Sequence, residues 1–241
     1  MRKFGLQLYS VRDLINKDFF GTLEEVARIG YTAVEFAGYN NIPAKEMKKK
    51  LDDLNLVGLS SHVKINDLQA DLDKEIEYLC ELGAKYMICA WSNARTVETA
   101  KKTAELLNVM GEKITKAGFI FAYHNHDHEF TLDEGRYPLD VLFENTNPEY
   151  VKHQPDVFWL VRAGIDPVDY IRENAYRCPT IHLRQMDNME NQQNTEAGNG
   201  VIDLKKIIEL APEADFIYEQ ECPEGTGIES VRKSFEALIR L

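Results

Sequence analysis

The chain has 241 residues, of which 44% are hydrophobic and 28% are charged, and its formal net charge is −12. This composition is typical of a globular protein. The acidic balance disfavours nucleic acid as a partner, because binding to phosphates is driven by clustered Lys and Arg. A membrane partner is not predicted either, since no polybasic patch is present and no apolar run approaches the roughly 18–20 residues that span a bilayer.

Hydrophobic periodicity and the start and stop signals of helices predict eight strands that alternate with eight helical segments. The predicted strands are residues 3–9, 31–36, 57–63, 85–90, 119–124, 150–156, 179–183 and 215–220. The predicted helices are residues 22–30, 43–54, 71–82, 96–116, 137–144, 166–174, 202–210 and 229–241. Thr22 is the expected N-cap of the first helix, Gly30 is its expected stop, and residues 185–200 are expected to form a polar loop.

The spacing of the predicted strand ends indicates a repeated unit. From Tyr9 to Glu219, the first and last of these ends, the mean step is 30 residues, which fits one strand and one helix per repeat. Eight such units in about 250 residues have the size of a (β/α)₈ barrel. An open doubly wound sheet is the alternative, but it usually carries a Gly-rich phosphate turn, and neither GxGxxG nor GxxxxGK[ST] occurs. We therefore predict an α/β fold, a single TIM barrel with a parallel eight-stranded core, as one domain over residues 1–241.

The first residues run directly into strand-like sequence without the apolar core of a signal peptide. The four cysteines, Cys80, Cys89, Cys178 and Cys222, show no CxxC pairing and none of the density of a disulfide-rich secreted domain. Free thiols and a cytoplasmic location are therefore expected.

Polar side chains collect at the C-terminal ends of the predicted strands, where the strands of a barrel converge on one site. They are Glu35, His62, His124, His126, Asp156, His182, Glu219 and Glu221. Four of them, His124, Asp156, His182 and Glu219, form a set of two imidazoles and two carboxylates that suits a divalent transition metal. We predict that these four bind one ion, with Mn²⁺, Zn²⁺ and Co²⁺ favoured and Mg²⁺ as a further candidate.

Each of these four ligands has an ordinary structural alternative. His124 alone could cap a strand, and His182 could be a core histidine that bonds to a backbone carbonyl. Asp156 could cap a short turn, and Glu219 could belong to a solvated charge run. Their occurrence at the ends of four successive strands favours the metal site. Trp159, three residues beyond Asp156, is the best candidate for an aromatic wall that stacks on a sugar.

Several motifs carry a resemblance to a known family. They are the segments GLQLYSVR (5–12), GYTAVEF (30–36), YHNHDHEF (123–130), DVFW (156–159), AGIDP (163–167), IHL (181–183) and YEQE (218–221). With them the whole chain resembles the xylose-isomerase-like TIM barrels of the sugar phosphate isomerase/epimerase type. The resemblance implies one divalent metal, held by Glu, Asp, His and Glu at the ends of strands five to eight. Asp156, His182 and Glu219 match three of these positions, whereas His124 replaces the first Glu and weakens a mechanism that needs two glutamates.

The resemblance implies a metal-dependent isomerase or epimerase that acts on a sugar, a sugar phosphate or a keto-polyol through an enediolate. Glu219 is the expected base, and His126 or Glu129 is expected to return the proton. The predicted substrate contacts are Glu35, His62, Trp159 and Arg184. The alternatives are a dehydratase of a keto-polyol or keto-glycoside, a non-catalytic sugar-binding barrel, and a DNA repair enzyme of the endonuclease IV type, which the acidic charge disfavours. A homo-oligomer is one open alternative for the assembly.

Overall fold

The computed structural model describes residues 3–221 and 226–241. Its barrel strands are β1 (Gly5–Gln7), β2 (Ala33–Phe36), β3 (Val57–Lys64), β4 (Tyr86–Trp91), β5 (Ile120–His124), β6 (Lys152–Gln154), β7 (Thr180–Leu183) and β10 (Asp215–Tyr218). Neighbouring strands pair in parallel in the order β6-β5-β4-β3-β2-β1-β10-β7. A bridge between Asp156 and His182 then joins the two ends of the sheet. The predicted TIM barrel is confirmed.

Helices surround the barrel and alternate with its strands. They are Arg12–Ile15, Phe19–Ile29, Ala44–Asp53, Ile65–Leu82, Val97–Lys116, Pro138–Glu144, Val157–Arg162, Pro167–Asn174, Leu204–Leu210 and Gly227–Leu238. Short 3₁₀ turns lie at Leu8–Val11, His128–Phe130 and Ala175–Arg177. The main apolar core lies between these helices and the outer faces of the strands, while a small cluster of Tyr86, Ile88 and Ala122 forms a separate group of buried side chains.

Local capping explains where several helices begin. The Asp18 side chain accepts a hydrogen bond from the Gly21 amide at 2.9 Å, so the first long helix begins at Phe19 and the prediction of Thr22 as its N-cap is wrong. Gly30 ends that helix with a φ of 120°, as predicted. Asp166 caps the helix that opens with Pro167, within the predicted helix 166–174.

The helices Arg12–Ile15 and Val157–Arg162 were not predicted, and two further segments differ from the sequence-based expectation. The helix predicted from residue 71 begins at Ile65 instead, and Asp71 interrupts it with non-helical φ and ψ of −157° and 76°. The predicted polar loop contains two short antiparallel strands, β8 (Gln185–Met186) and β9 (Asn194–Thr195). This hairpin follows directly on β7 and brings residues 194–195 back to the barrel mouth.

Among the described residues, no helix is both long enough and apolar enough to cross a membrane.

Cys80, Cys89 and Cys178 are free thiols, as expected, and Cys222 lies outside the described residues.

Candidate metal centre and active site

A buried carboxylate, Glu35, forms the centre of a polar layer inside the barrel. Its Oε1 accepts a hydrogen bond from Gln7 Nε2 at 2.8 Å. Its Oε2 accepts hydrogen bonds from Ser60 Oγ at 2.7 Å and from Gln154 Nε2 at 2.9 Å. The register of the sheet places Gln7 and Ser60 beside Glu35 on the neighbouring strands. These contacts satisfy a charge that would otherwise be costly to bury.

Two imidazoles complete the surroundings of Glu35. His182 Nε2 lies 2.5 Å and His62 Nε2 lies 2.9 Å from Glu35 Oε1. Burial opposes the charge of Glu35, but these imidazoles hold its pKa well below the ordinary value. Glu35 is fully buried and does not line the cavity at the barrel mouth. Contact between Glu35 and substrate stays a prediction; the contacts that the structure shows are with the two histidines and the neutral donors.

His182 lies between two carboxylates at the end of β7. Its Nδ1 is 2.9 Å from Glu219 Oε2, and its Nε2 faces Glu35. Burial opposes a charge on the ring, but Glu35 and Glu219 raise the pKa of His182 to about 10. A metal-binding histidine commonly has a carboxylate on its other nitrogen, and Glu35 supplies that partner here. Metal binding would release the proton from the opposite nitrogen.

His124 ends β5 with one nitrogen free for a metal. Its Nδ1 lies 3.1 Å from Gln154 Oε1, and since a carbonyl oxygen only accepts, Nδ1 carries the proton. The lone pair is then on Nε2. Burial and the neighbouring imidazoles of His62 and His182 lower the pKa of His124 well below its ordinary value, so the ring is neutral, as a ligand must be.

Asp156 uses its two oxygens differently. Oδ1 accepts hydrogen bonds from the amides of Phe158 at 2.8 Å and Trp159 at 3.2 Å, and thereby caps the helix Val157–Arg162. Oδ2 is buried and has no hydrogen-bond partner among the described residues. Burial raises the pKa of Asp156 to about 6, although Arg184 opposes that shift. The capping alternative and the metal alternative are thus compatible, because each uses a different oxygen.

Glu219 provides the fourth donor. Burial opposes its charge, but the hydrogen bond to His182 and the charge of Arg184 lower the pKa of Glu219 to about 2, so it is ionised. One donor atom from each of His124, Asp156, His182 and Glu219 lies within 4.8 Å of the others. Two imidazoles and two carboxylates at this separation fit one divalent transition metal.

A cavity of about 430 Å³ opens beside these donors. Its wall includes residues from the ends of most barrel strands: Tyr9, Ala37, His62, Lys64, Ala90, Trp91, His124, His126, Trp159, Arg184, Glu219 and Glu221. Tyr9, Trp91 and Trp159 supply aromatic surface. A larger cavity of about 510 Å³ includes Phe143 and Tyr170 in its wall but none of the four donors, so the chemistry is assigned to the barrel mouth.

A parallel barrel with its polar groups at the C-terminal strand ends matches a known family. The sequence model of the xylose isomerase-like TIM barrel family matches residues 23–241 of this chain. The chain belongs to this family. The family's enzymes vary in reaction, so membership fixes the fold more firmly than the substrate.

Three relatives of the xylose isomerase-like barrel illustrate that range. An inosose dehydratase from Geobacillus kaustophilus (strain HTA426) is 25% identical over 190 residues, which are 68% of this chain and 61% of that protein, so the chain matches less than two thirds of the relative's length. A sugar phosphate isomerase/epimerase from Parabacteroides distasonis ATCC 8503 has a TM-score of 0.84 at 26% identity, over 98% of this chain and 93% of that one. A zinc-bound IolI protein shares the fold, with a TM-score of 0.76 at 14% identity over 99% of this chain and 97% of that one.

His126, the predicted proton carrier, and Trp159, a predicted substrate contact, both line the cavity, and these two roles stay predictions. Their ring centroids are 5.3 Å apart. His126 Nδ1 and Trp159 Nε1 are both buried without a hydrogen-bond partner in the described part of the chain. Burial, with His128 adding to it, lowers the pKa of His126 to about 3, so its imidazole is neutral near pH 7.

Glu129 lies elsewhere. It is fully buried, it does not line the cavity, and its oxygens accept hydrogen bonds from Tyr123 Oη at 2.7 Å and from the His126 amide at 2.8 Å. Burial raises the pKa of Glu129 to about 7. The role of Glu129 in returning a proton stays a prediction; the contact that the structure shows is with the backbone of the loop that carries His126.

His62 and Arg184 line the cavity, and their contact with substrate stays a prediction. His62 Nε2 lies 2.7 Å from Gln154 Oε1, which restricts the orientation of the ring. The Arg184 guanidinium packs over the rings of Phe158 and Trp159, at 4.6 Å and 5.0 Å from their centroids.

The neutral polar groups that contact the candidate metal donors were not predicted from the sequence. Gln154 bridges Glu35, His62 and His124, and Asn125 Oδ1 accepts hydrogen bonds from the Asp156 amide and from His153 at 3.1 Å each. One signal was available, because Gln154 precedes Asp156 by two residues and a strand directs such a pair to the same face. Asn125 gave no comparable signal, since its role depends on a neighbouring strand.

Proposed function

We propose that this protein is a divalent-metal-dependent enzyme that removes a proton next to the carbonyl of a sugar or keto-polyol. The observation that carries the proposal is the group of four donor atoms, His124, Asp156, His182 and Glu219, within 4.8 Å of one another beside an open cavity. A cation bound there would act as a Lewis acid that polarises the substrate carbonyl. The zinc in the IolI relative is consistent with this assignment.

Two groups on the cavity wall are suited to move the substrate proton. Glu219 is ionised, and it offers a carboxylate that can accept a proton within the cavity. His126 is neutral and has an unpartnered Nδ1, and it lies on the wall of the same cavity as Glu219. Proton removal by one group and proton return by the other would complete an isomerisation or epimerisation.

The wall of the cavity favours a sugar-sized ligand. Tyr9, Trp91 and Trp159 present aromatic surfaces of the kind that stack on the apolar face of a sugar ring. His62 and Arg184 add polar donors that can bind hydroxyl or carbonyl oxygens. A small-molecule sugar or polyol is therefore the proposed substrate class.

Dehydration is the second candidate reaction on the same groups. In that case His126 would take the proton from the substrate carbon and pass it to a leaving hydroxyl instead of to another carbon atom, because its unpartnered Nδ1 lies on the cavity wall. The inosose dehydratase relative supports this alternative. The two candidates share proton removal and differ in where the proton goes.

The test is α-proton exchange in D₂O, followed by NMR across ketoses, inososes and keto-glycosides with Mn²⁺, Zn²⁺ or Co²⁺ added. Exchange without loss of water indicates an isomerase or epimerase, and loss of water indicates a dehydratase. His182→Ala should abolish metal uptake, while His126→Ala should retain the metal and slow exchange by about 10²–10⁴-fold. Binding of a sugar without exchange in any metal form would identify a non-catalytic barrel and end the proposal.

A further inference from the structure

Arg184 places a full positive charge among the donors of the proposed metal centre. The residue is only 2% exposed, although arginine is almost never buried without partners. The negative charges of Asp156 and Glu219 both act on the Arg184 guanidinium. A guanidinium cannot lose its proton in a protein, so this charge is permanent.

The outer side of the guanidinium is firmly held. Nε donates to Asn194 Oδ1 at 2.6 Å, and Nη2 donates to Glu221 Oε1 at 2.8 Å. Asn194 belongs to β9 and reaches Arg184 because the hairpin of β8 and β9 folds back immediately after β7. The arginine is therefore fixed by contacts that lie beyond the four metal donors.

The inner side faces the metal donors without bonding to them. Nη1 lies 3.6 Å from Asp156 Oδ2 and 4.0 Å from Glu219 Oε1. Both distances exceed those of a good hydrogen bond, so the contacts are ion pairs only. Asp156 Oδ2 is otherwise unpartnered in the described residues. Arg184 thus balances the charge of two donors while leaving their lone pairs available.

We propose that Arg184 is the built-in counter-charge of the metal centre, an inference that rests on the metal site of the proposed function. The guanidinium stabilises the Asp156 and Glu219 carboxylates when no metal is bound. The same positive charge repels a bound cation, so Arg184 sets the metal affinity below what the four donors alone would give. Arg184 is in this sense a positioning and affinity-determining residue, and its role does not depend on contact with substrate.

The test is calorimetric titration of the metal-depleted full chain with Zn²⁺. Arg184→Met removes the charge and keeps much of the side-chain length, and it should bind Zn²⁺ about tenfold more tightly than the unmodified protein, or tighter still. Arg184→Lys keeps the positive charge and should therefore bind Zn²⁺ less tightly than Arg184→Met.

Arg162→Met is the matched control. Arg162 also packs against Trp159, with its guanidinium 5.3 Å from the ring, but it is half-exposed and pairs with Asp127 at 3.1 Å, away from the donors. The loss of its charge should change Zn²⁺ affinity by less than about threefold, because solvent screens exposed charges. An Arg184→Met protein that binds Zn²⁺ no more tightly than Arg162→Met overturns the inference.

Two further outcomes are informative. If neither the unmodified protein nor Arg184→Met binds Zn²⁺, the metal centre itself is refuted, and the inference is refuted with it. If Arg184→Met and Arg184→Gln both unfold without metal, recovery of the native circular dichroism at saturating Zn²⁺ supports the inference, because the cation then replaces the missing charge. Failure of Zn²⁺ to recover either variant, when it stabilises the unmodified protein, overturns it.

Discussion

Two adjacent layers of side chains inside the barrel differ in whether their buried polar atoms have hydrogen-bond partners. In the first, which we call the support layer, both oxygens of Glu35 accept hydrogen bonds, from Gln7, Ser60 and Gln154. In the second, the donor layer at the strand ends, Asp156 Oδ2 and other buried atoms have no hydrogen-bond partner among the described residues. Since a buried polar atom without a partner costs free energy, the contrast indicates that the first layer supports the fold and the second is built for a ligand.

The largest effect is expected in the support layer, for Glu35→Ala. The substitution removes one of the two carboxylates that hold His182 and the shared acceptor of the three neutral donors. We expect the free energy of unfolding to fall by about 3–5 kcal/mol, because breaking a buried ion pair leaves the partner charge uncompensated. Urea denaturation of the metal-free protein measures this loss.

Glu98→Ala is the control, because Glu98 is exposed and pairs with Lys102 on the same helix. Its loss should leave the free energy of unfolding close to that of the unmodified protein, because solvent screens an exposed ion pair. Equal stabilities of the Glu35 and Glu98 variants would contradict a supporting role for the first layer.

For Asp156→Asn in the donor layer we expect the reverse, which is little change in stability and a large loss of metal affinity. An asparagine can still cap the helix Val157–Arg162 through its side-chain oxygen, so stability should change by less than about 1 kcal/mol. The amide that replaces the charged oxygen is a poor metal ligand. We expect Zn²⁺ binding to weaken by about 100-fold or more, which is about 2.7 kcal/mol, and calorimetry measures it. A large loss of stability with unchanged metal binding would assign Asp156 to the support layer.

The positions of the donor-layer residues were easier to predict from the sequence than the role of the support layer. His124, Asp156, His182 and Glu219 were predictable, because each follows an apolar strand and the 30-residue repeat brings strand ends together. The position of Glu35 followed from the same rule, but its role did not. That role depends on contacts from four other strands, and sequence spacing cannot give them.

Loop residues were harder still. Glu129 follows His126 by three residues, and only the turn at His128–Phe130 directs its carboxylate back to the His126 amide and away from the cavity. The contact between Arg184 and Asn194 depends on a hairpin of two-residue strands, which is too short to produce a hydrophobic pattern. In both cases local backbone geometry, rather than residue type, decides where the side chain lies.

A smaller effect on the free energy of unfolding is expected from pH, through His153, whose two ring nitrogens both have hydrogen-bond partners. Its Nε2 lies 3.1 Å from Asn125 Oδ1, and its Nδ1 lies 3.3 Å from Tyr170 Oη. Burial, with repulsion from Arg177, lowers the pKa of His153 to about 3. The unfolded chain binds this proton below about pH 6.5 and the folded chain does not, so stability is lost as the pH falls through that window.

Between pH 7 and pH 5, His153 is expected to lower the free energy of unfolding by about 2 kcal/mol. The free energy of unfolding of His153→Gln, measured by urea denaturation at the two pH values, should fall by about 2 kcal/mol less than that of the unmodified protein. His124 and His126, whose pKa values are also lowered, are present in both proteins and cancel in the difference. An identical pH dependence in the two proteins would show that His153 takes up its proton in the folded state.

The smallest effect tests whether an unpartnered atom by itself marks a ligand site. Thr180 Oγ1 is fully buried and has no partner in the described chain, yet it lies at the first residue of β7, the end of that strand opposite the donors. Thr180→Val should therefore leave metal binding unchanged and raise the free energy of unfolding by up to about 1 kcal/mol. Thr22→Val is the matched control, since Thr22 Oγ1 donates to the Asp18 carbonyl at 2.6 Å and its loss should destabilise by about 1 kcal/mol. If both variants lose the same stability, a missing partner in this barrel does not distinguish idle hydroxyls from bonded ones, and the unpartnered atoms of Asp156 and His126 would need support from the cavity and the donor distances alone.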